Sequence, residues 1–128
     1  MEKLKFHHIG LATENIDESI KEMKNYFDIT EISNIVYDEK QDATLCMITI
    51  SDGTKIELIS GNQVSRLVKK RQFLYHICYE TDDIEAQIRQ FEELGSMVIS
   101  EPKEAILFDM KRVAFLMTNM GLIELVEK

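Results

Sequence analysis

An internal repeat constrains this chain more than anything else in it. The stretch Leu-Tyr-His-Ile-Cys-Tyr-Glu-Thr-Asp-Asp-Ile over 74–84 repeats Phe-His-His-Ile-Gly-Leu-Ala-Thr-Glu-Asn-Ile over 6–16. His8, Ile9, Thr13, Ile16 and Ile20 thus recur as His76, Ile77, Thr81, Ile84 and Ile88, at an offset of 68. The closing segments also match: Lys55-Ile56-Glu57-Leu58-Ile59 mirrors Leu122-Ile123-Glu124-Leu125-Val126 at an offset of 67. One residue has been gained or lost inside one copy. Each module opens on a histidine and closes on a glutamate.

Modules of about sixty residues would each be marginal alone, because too little of their surface can be buried. The expectation is one domain over 1–128, made of modules 4–61 and 73–128 that share a core and are joined by a short helical connection, 62–72. An apolar content of 45% with 30% charged residues, five Gly and one Pro is that of a globular chain without low-complexity segments. A net charge of −8 argues against a nucleic-acid partner, whose binding depends on Lys and Arg displacing counterions. The basic run Lys69-Lys70-Arg71 reads as a solvated helix face. No run is long and apolar enough to cross a bilayer, and Met1-Glu2-Lys3-Leu4-Lys5 lacks the apolar core of a signal peptide, so a cytoplasmic protein without a membrane partner is expected. Cys46 and Cys78 lie in expected strands without C-x-x-C spacing and read as buried reduced thiols.

Each module reads as strand, helix, strand, strand, strand. In the first, strand 5–12 precedes a helix capped by Asn15, with Ile16, Ile20, Met23 and Phe27 at helical spacing and an end near Asp28. Strands 31–39, 43–50 and 54–60 follow, separated by Lys40-Gln41-Asp42 and by the hairpin signal Asp52-Gly53. Residues 63–72 read as a connecting helix. The second module has strand 73–80, helix 83–94 stopped by Gly95, and strands 97–101, 111–117 and 121–127, with Pro102 opening a longer connection through Met110. Asp82 with Glu85 offers the second helix a capping box one position earlier than Asn15 with Glu18 offers the first.

Alternation along a strand turns His8 and His76 away from Ile9 and Ile77, and Glu57 and Glu124 away from their isoleucine and leucine neighbours. All four polar side chains then point away from the helices. If the modules pair about an approximate two-fold axis, the sheets curve into a half-open barrel that receives two imidazoles and two carboxylates on its concave face. Such groups are costly to bury unpaired. A divalent ion held by His8, Glu57, His76 and Glu124 offsets that cost, and an N₂O₂ set suits Zn, Ni, Co, Mn or Fe better than Ca. Polarisation of a bound carbonyl would acidify the neighbouring C–H, and Glu124, with Glu57 second, is the expected proton carrier. His7 has Tyr75 at its repeat position and reads as a helix-side or surface residue. Cys78 follows His76 on the same face, either lining the pocket or simply filling space.

The paired His-Ile openings and Ile-Glu-Leu closings resemble the vicinal oxygen chelate superfamily over nearly the whole chain. Within it, Tyr75 to Ile84, Arg112-Val113-Ala114-Phe115-Leu116 and Gly121 to Leu125 resemble methylmalonyl-CoA epimerases and small glyoxalase I proteins. The resemblance implies an α+β fold of tandem βαβββ modules forming one eight-stranded half-open barrel with helices on the convex side. It also implies the same four metal ligands and a homodimer. Glu57 matches the glyoxalase I ligand set, since many epimerases carry Gln there, whereas the C-terminal segment matches the epimerases. The epimerases' second carboxylate base corresponds to Leu45, and their Gly-rich loop to Glu104-Ala105-Ile106-Leu107-Phe108-Asp109. The leading expectation is a glyoxalase I-type lyase or isomerase acting on a small-molecule thiol adduct. The alternatives are an epimerase-like isomerase acting on a thioester and a non-catalytic antibiotic-binding protein of the same fold.

Overall fold

The computed structural model describes residues 2–128, which form nine strands and three α-helices. The chain divides into two compact units, one of residues 8–75 and one of residues 76–128 together with the N-terminal segment through His7. The connection through Phe73 belongs to the first unit, where the Ala12 N–H donates to the Phe73 carbonyl at 2.7 Å.

In the unit 8–75, strand β1 (Lys5–Ala12) runs from His8 onward parallel to β5 (Lys55–Ser60), and β4 (Ala43–Ile50) pairs antiparallel with β5. Helix α1 (Ile16–Met23) lays Ile16, Ile20 and Met23 on Cys46, Ile48, Ile56 and Leu58, forming a core on one face of these strands. Asn15 caps the helix, its side chain accepting from the Glu18 N–H at 3.0 Å, while the Glu18 carboxylate faces Lys21 instead of returning to the cap. The helix ends at Met23, short of the expected Asp28, and Phe27 is left 41% exposed. The Asp28 carbonyl accepts from Ser51 N–H at 2.9 Å, so the chain has already left the helix for the hairpin by that residue.

The expected strand 31–39 is two strands, β2 (Ile29–Ile32) and β3 (Val36–Asp38), both on β4, which brings the strands to nine where eight were expected. Ser33 causes the break. Its N–H donates to the Met47 carbonyl at 2.9 Å while its hydroxyl accepts from the Met47 N–H at 2.8 Å, so a side chain takes the place of a ladder carbonyl. The connecting helix 63–72 is a 3₁₀ turn over Asn62–Val64 followed by α2 (Ser65–Lys69).

In the other unit, β6 (Leu74–Thr81) runs from Ile77 parallel to β9 (Gly121–Glu127), β8 (Arg112–Thr118) pairs with β9, and β7 (Met97–Glu104) pairs with β8. Helix α3 (Ile84–Glu93) buries Ile84 and Ile88 against Ala114, Leu116, Ile123 and Leu125. Its cap is Asp83, which accepts from the Ala86 N–H at 3.0 Å, rather than the expected Asp82. The repeat is kept, because the Thr13 and Thr81 hydroxyls accept from Asn15 N–H and Asp83 N–H, each at 3.2 Å. Gly95, at φ +99°, ends the helix as expected.

Strand β7 continues through Pro102 to Glu104, where a loop was expected. The register slips between Ser100 and Lys103, and an irregular edge strand is where a missing N–H is tolerated. The one-residue difference between modules lies in the last hairpin. Five residues separate Thr49 from its partner Lys55 around the Asp52-Gly53 turn, whereas four separate Met117, at the equivalent position, from its partner Leu122 around Asn119-Met120.

Candidate metal centre

Each unit carries one histidine–glutamate pair at the same place in its strands. In the unit 8–75 the parallel register sets Gly10 beside Glu57, and His8 lies two residues before Gly10 on the same face. The His8 Nε2 is 3.4 Å from Glu57 Oε1, with side chains 0% and 4% exposed. In the other unit Cys78 stands beside Glu124 and His76 lies two residues before it. There His76 Nε2 is 3.0 Å from Glu124 Oε1, both side chains 1% exposed. The residue beside each carboxylate is thus small, Gly10 or Cys78.

Burial of this kind favours the pair over either group alone, because an ionised carboxylate taken out of water needs a nearby donor or cation. The separations also suit coordination. Two ligand atoms bound at about 2.0–2.2 Å with an angle between octahedral and tetrahedral lie about 2.8–3.6 Å apart. Both pairs fall in that range, and each offers one imidazole nitrogen and one carboxylate oxygen to an ion.

The surroundings of the two pairs differ. Met47 faces Glu57 across β4 and β5, while Phe115 faces Glu124 across β8 and β9. The Phe115 ring stands edge-on to His76, centroids 5.3 Å apart, and is 5% exposed. This orienting contact was not singled out from the sequence, although the repeat sets Phe115 at the Met47 position. Leu45, where a second carboxylate was sought, is 1% exposed, and β4 contains no acidic residue. Cys78 packs with Ala105, Val113, Val126 and Phe108. His7, expected on the helix side or the surface, sits edge-on to Phe108 at 5.6 Å. Both cysteines are buried, and burial pushes the Cys46 thiol above its ordinary pKa.

Beyond the histidine pair, β8, β9 and α3 are joined by charge. Arg112 donates from its backbone N–H to Glu127 at 2.7 Å and grips the same carboxylate with Nε and Nη2 at 3.1 and 3.2 Å. Its Nη1 reaches Glu85 on α3 at 2.6 Å. Hydrogen bonding to Arg112 holds the Glu85 and Glu127 carboxyls below the usual range, and those two carboxylates in turn hold the guanidinium proton more firmly. No helix among the described residues is long and apolar enough to cross a membrane.

The profile described as Glyoxalase/Bleomycin resistance protein/Dioxygenase superfamily matches residues 7–115. A curated relative, the mitochondrial methylmalonyl-CoA epimerase of Dictyostelium discoideum, is 30% identical over 133 residues, covering 97% of this chain and 78% of the relative. Among solved structures, a hypothetical protein of Bacillus halodurans superposes with a TM-score of 0.79 at 24% identity, over 99% of this chain and 96% of the other. The methylmalonyl-CoA epimerase of Mycobacterium tuberculosis superposes with a TM-score of 0.81 at 17% identity, over 95% and 86%. A Glu-to-Leu variant of the Streptomyces coelicolor enzyme, in complex with 2-nitronate-propionyl-CoA, gives 0.75 at 22% identity, over 98% and 96%. With the βαβββ repeat, the profile match across most of its length and a 30% identical relative all agreeing, the chain belongs to the glyoxalase/bleomycin resistance/dioxygenase, or vicinal oxygen chelate, superfamily.

Proposed function

We propose that this protein is a divalent-metal-dependent isomerase of the epimerase type, moving a proton at the carbon next to a thioester carbonyl. The observation that carries the reading is the pair of buried histidine–glutamate couples, one per repeat, at ligand-like separations of 3.4 and 3.0 Å. In this reading His8, Glu57, His76 and Glu124 together hold one ion. The bound ion would polarise the substrate carbonyl and lower the pKa of its α-proton.

Glu124 takes the α-proton as general base, leaving a substrate enolate and a carboxylic acid. A proton returned to the opposite face of the same carbon by Glu57, which would be protonated and not an anionic ligand at that stage, inverts the configuration without redox change. Loss of the Glu124 proton to water and reprotonation of Glu57 from water restore the starting state. Assigning both steps to the repeat-related glutamates removes the need for a base at Leu45, whose apolar side chain instead helps keep water out. His8 and His76 would supply the imidazole ligands, and Phe115 fixes the His76 ring by edge-on contact.

The curated relative supports the isomerase alternative over the glyoxalase I-type lyase that the sequence placed first. A hemithioacetal isomerisation stays as the second reading, on the observation that β4 offers no carboxylate and that this reaction returns its proton along an enediolate without a donor on the opposite face. Metal-refilled protein in deuterated water separates them. Deuterium entering the α-position of methylmalonyl-CoA supports the epimerase reading. Turnover of methylglyoxal with a thiol, and no exchange into the thioester, replaces it with the glyoxalase reading. No turnover of either, with metal-free binding of a planar antibiotic, would favour the sequestering class.

A further inference from the structure

Each unit carries a groove beside its long helix, and the two units treat that groove differently. In the unit of 76–128 and the N-terminal segment, the groove beside α3 is filled from within. Leu4 packs, with Tyr79 and Phe91, against the core cluster that contains Leu125. Phe6 stands edge-on to Tyr79 with ring centroids 6.3 Å apart, and the Glu2 N–H donates to the Asp82 carboxylate at 3.3 Å. An aliphatic side chain and a nitrogen donor cover this place together.

The repeat carries Tyr79, Asp82, Phe91 and Leu125 back onto Leu11, Glu14, Met23 and Leu58. In the unit 8–75 those four residues line an open pocket of about 400 Å³, within the span of about 300–1,000 Å³ usual for small-molecule sites. The plug Leu4 has the polar, exposed Gln72 at its repeat position. The connection instead gives the wall an arginine, Arg71. Its backbone has left α2 for the left-handed region, at φ +57°, where glycine is the unstrained choice, so Arg71 is not part of the solvated helix face that the basic run suggested. The pocket lies on the helix side of β5. Leu58 packs with the α1 residues, and its neighbour Glu57 therefore faces the other way.

We infer that this pocket binds a free aliphatic α-amino acid of about the size of leucine. Glu14 takes the ammonium group, as Asp82 takes the Glu2 N–H in the other unit. Leu11, Met23 and Leu58 take the alkyl side chain, as their counterparts' cluster takes Leu4. Arg71, whose planar fork suits a carboxylate, takes the acid group. Glu22, a second carboxylate on the wall, adds to the attraction for the ammonium and disfavours a ligand that carries only negative charge. The site stands on the opposite face of β5 from Glu57, so it does not depend on the proposed proton transfer.

The test is a titration of the metal-loaded, full-length protein, followed by NMR of the Leu11, Met23 and Leu58 methyl groups. The probes are leucine, leucinamide, 4-methylpentanoate and glycine. Leucine should shift these methyls saturably, and glycine should bind at least about tenfold more weakly for want of an alkyl group to bury. Glycine also controls for chelation of the ion, because it shares both charged groups with leucine. Leucinamide and 4-methylpentanoate each lack one charge and should bind about fivefold more weakly, the upper worth of a partly exposed ion pair. Arg71→Gln should make leucine and leucinamide equal, while Arg71→Lys keeps most of their difference. Glu14→Gln should make leucine and 4-methylpentanoate equal. No saturable shift of these methyls, or equal affinity for leucine and glycine, overturns the inference. Leucinamide bound by the wild type as tightly as leucine overturns it too, and would assign the pocket to the amino terminus of a peptide.

Discussion

Set against each other, the two modules agree in the cores beneath their helices and disagree on the opposite face. Ile16, Ile20, Ile48, Ile56 and Leu58 pack in one unit as Ile84, Ile88, Leu116, Ile123 and Leu125 pack in the other. The histidine–glutamate pairs match as well. What has changed is the rims: Thr44 and Ser60 pair where Arg112 and Glu127 stand in the second module, and the paired residues Glu31, Thr49 and Lys55 give way to Met97, Met117 and Leu122. A close-packed core with buried histidine–glutamate pairs tolerates little change of volume or charge. Exposed rims tolerate much, and they are where duplicated modules can acquire different roles.

The largest expected effects test whether the two pairs are equivalent. Glu57→Gln and Glu124→Gln should each weaken metal binding more than about 100-fold, above the loss typical of outer-shell partners. Each should also lower the proton-transfer rate by about 10²–10⁴, as loss of a general acid or base does. Chelator competition and elemental analysis read the first, single-turnover exchange the second. A full metal equivalent retained in either variant would break the equivalence and the ligand assignment with it.

Next come the cores. Leu58 and Leu125 occupy the same repeat position and are 2% and 0% exposed. Truncating either to alanine should cost about 2–5 kcal/mol, measured by urea unfolding. Similar losses and a shared single transition would mean that the modules unfold together. Two separated transitions would mean that each unit has its own stability.

The caps should show a smaller effect. Asn15→Ala and Asp83→Ala should each cost about 1 kcal/mol, while Asp82→Ala, whose side chain caps nothing, should be close to neutral. A cost at Asp82 equal to that at Asp83 would contradict the observed cap geometry. Sedimentation of the unmodified protein tests the homodimer that the family resemblance suggests.

These differences also mark how far the sequence could be read. The repeat, carried by His8 with His76 and Glu57 with Glu124, was enough to expect the module order, the helix-side cores and the inward carboxylates. The features it did not disclose depend on single hydrogen bonds or on irregular pairing. Ser33 breaks a strand because its hydroxyl replaces a carbonyl, and no residue pattern announces that. Pro102 looked like the end of a strand, yet an edge strand with a slipped register accommodates it. The cap moved from Asp82 to Asp83 because Thr81 fixes the turn as Thr13 does, which a stricter use of the repeat would have found. Phe115 against His76 is a contact across the sheet, visible only once Glu124 is seen to pair with β8.

The smallest effect concerns the charged rim that the first module lacks. Arg112 holds the Glu85 and Glu127 carboxyls below their ordinary pKa through direct hydrogen bonds. Depressed folded-state values contribute stability that is present above the unfolded carboxyl pKa, about 4.3, and is lost as pH falls through the lowered values. Replacing Arg112 with Met removes that contribution, so wild type should exceed the variant in Tm by a modest, constant margin at neutral pH. Below about pH 4 the margin should shrink toward zero as both carboxylates become protonated. Because these side chains are 29–51% exposed, added salt should narrow the margin at neutral pH too. Thr44 and Ser60 carry no charge, so a substitution at Thr44 that preserves size should shift Tm equally at both pH values. Thermal scans of the Arg112→Met and Thr44→Val variants at pH 7 and pH 3, at low and high salt, provide the comparison. A margin for Arg112 that persists unchanged at pH 3 would mean that its aliphatic stem, packed between α3 and the strands, stabilises this rim rather than its charge.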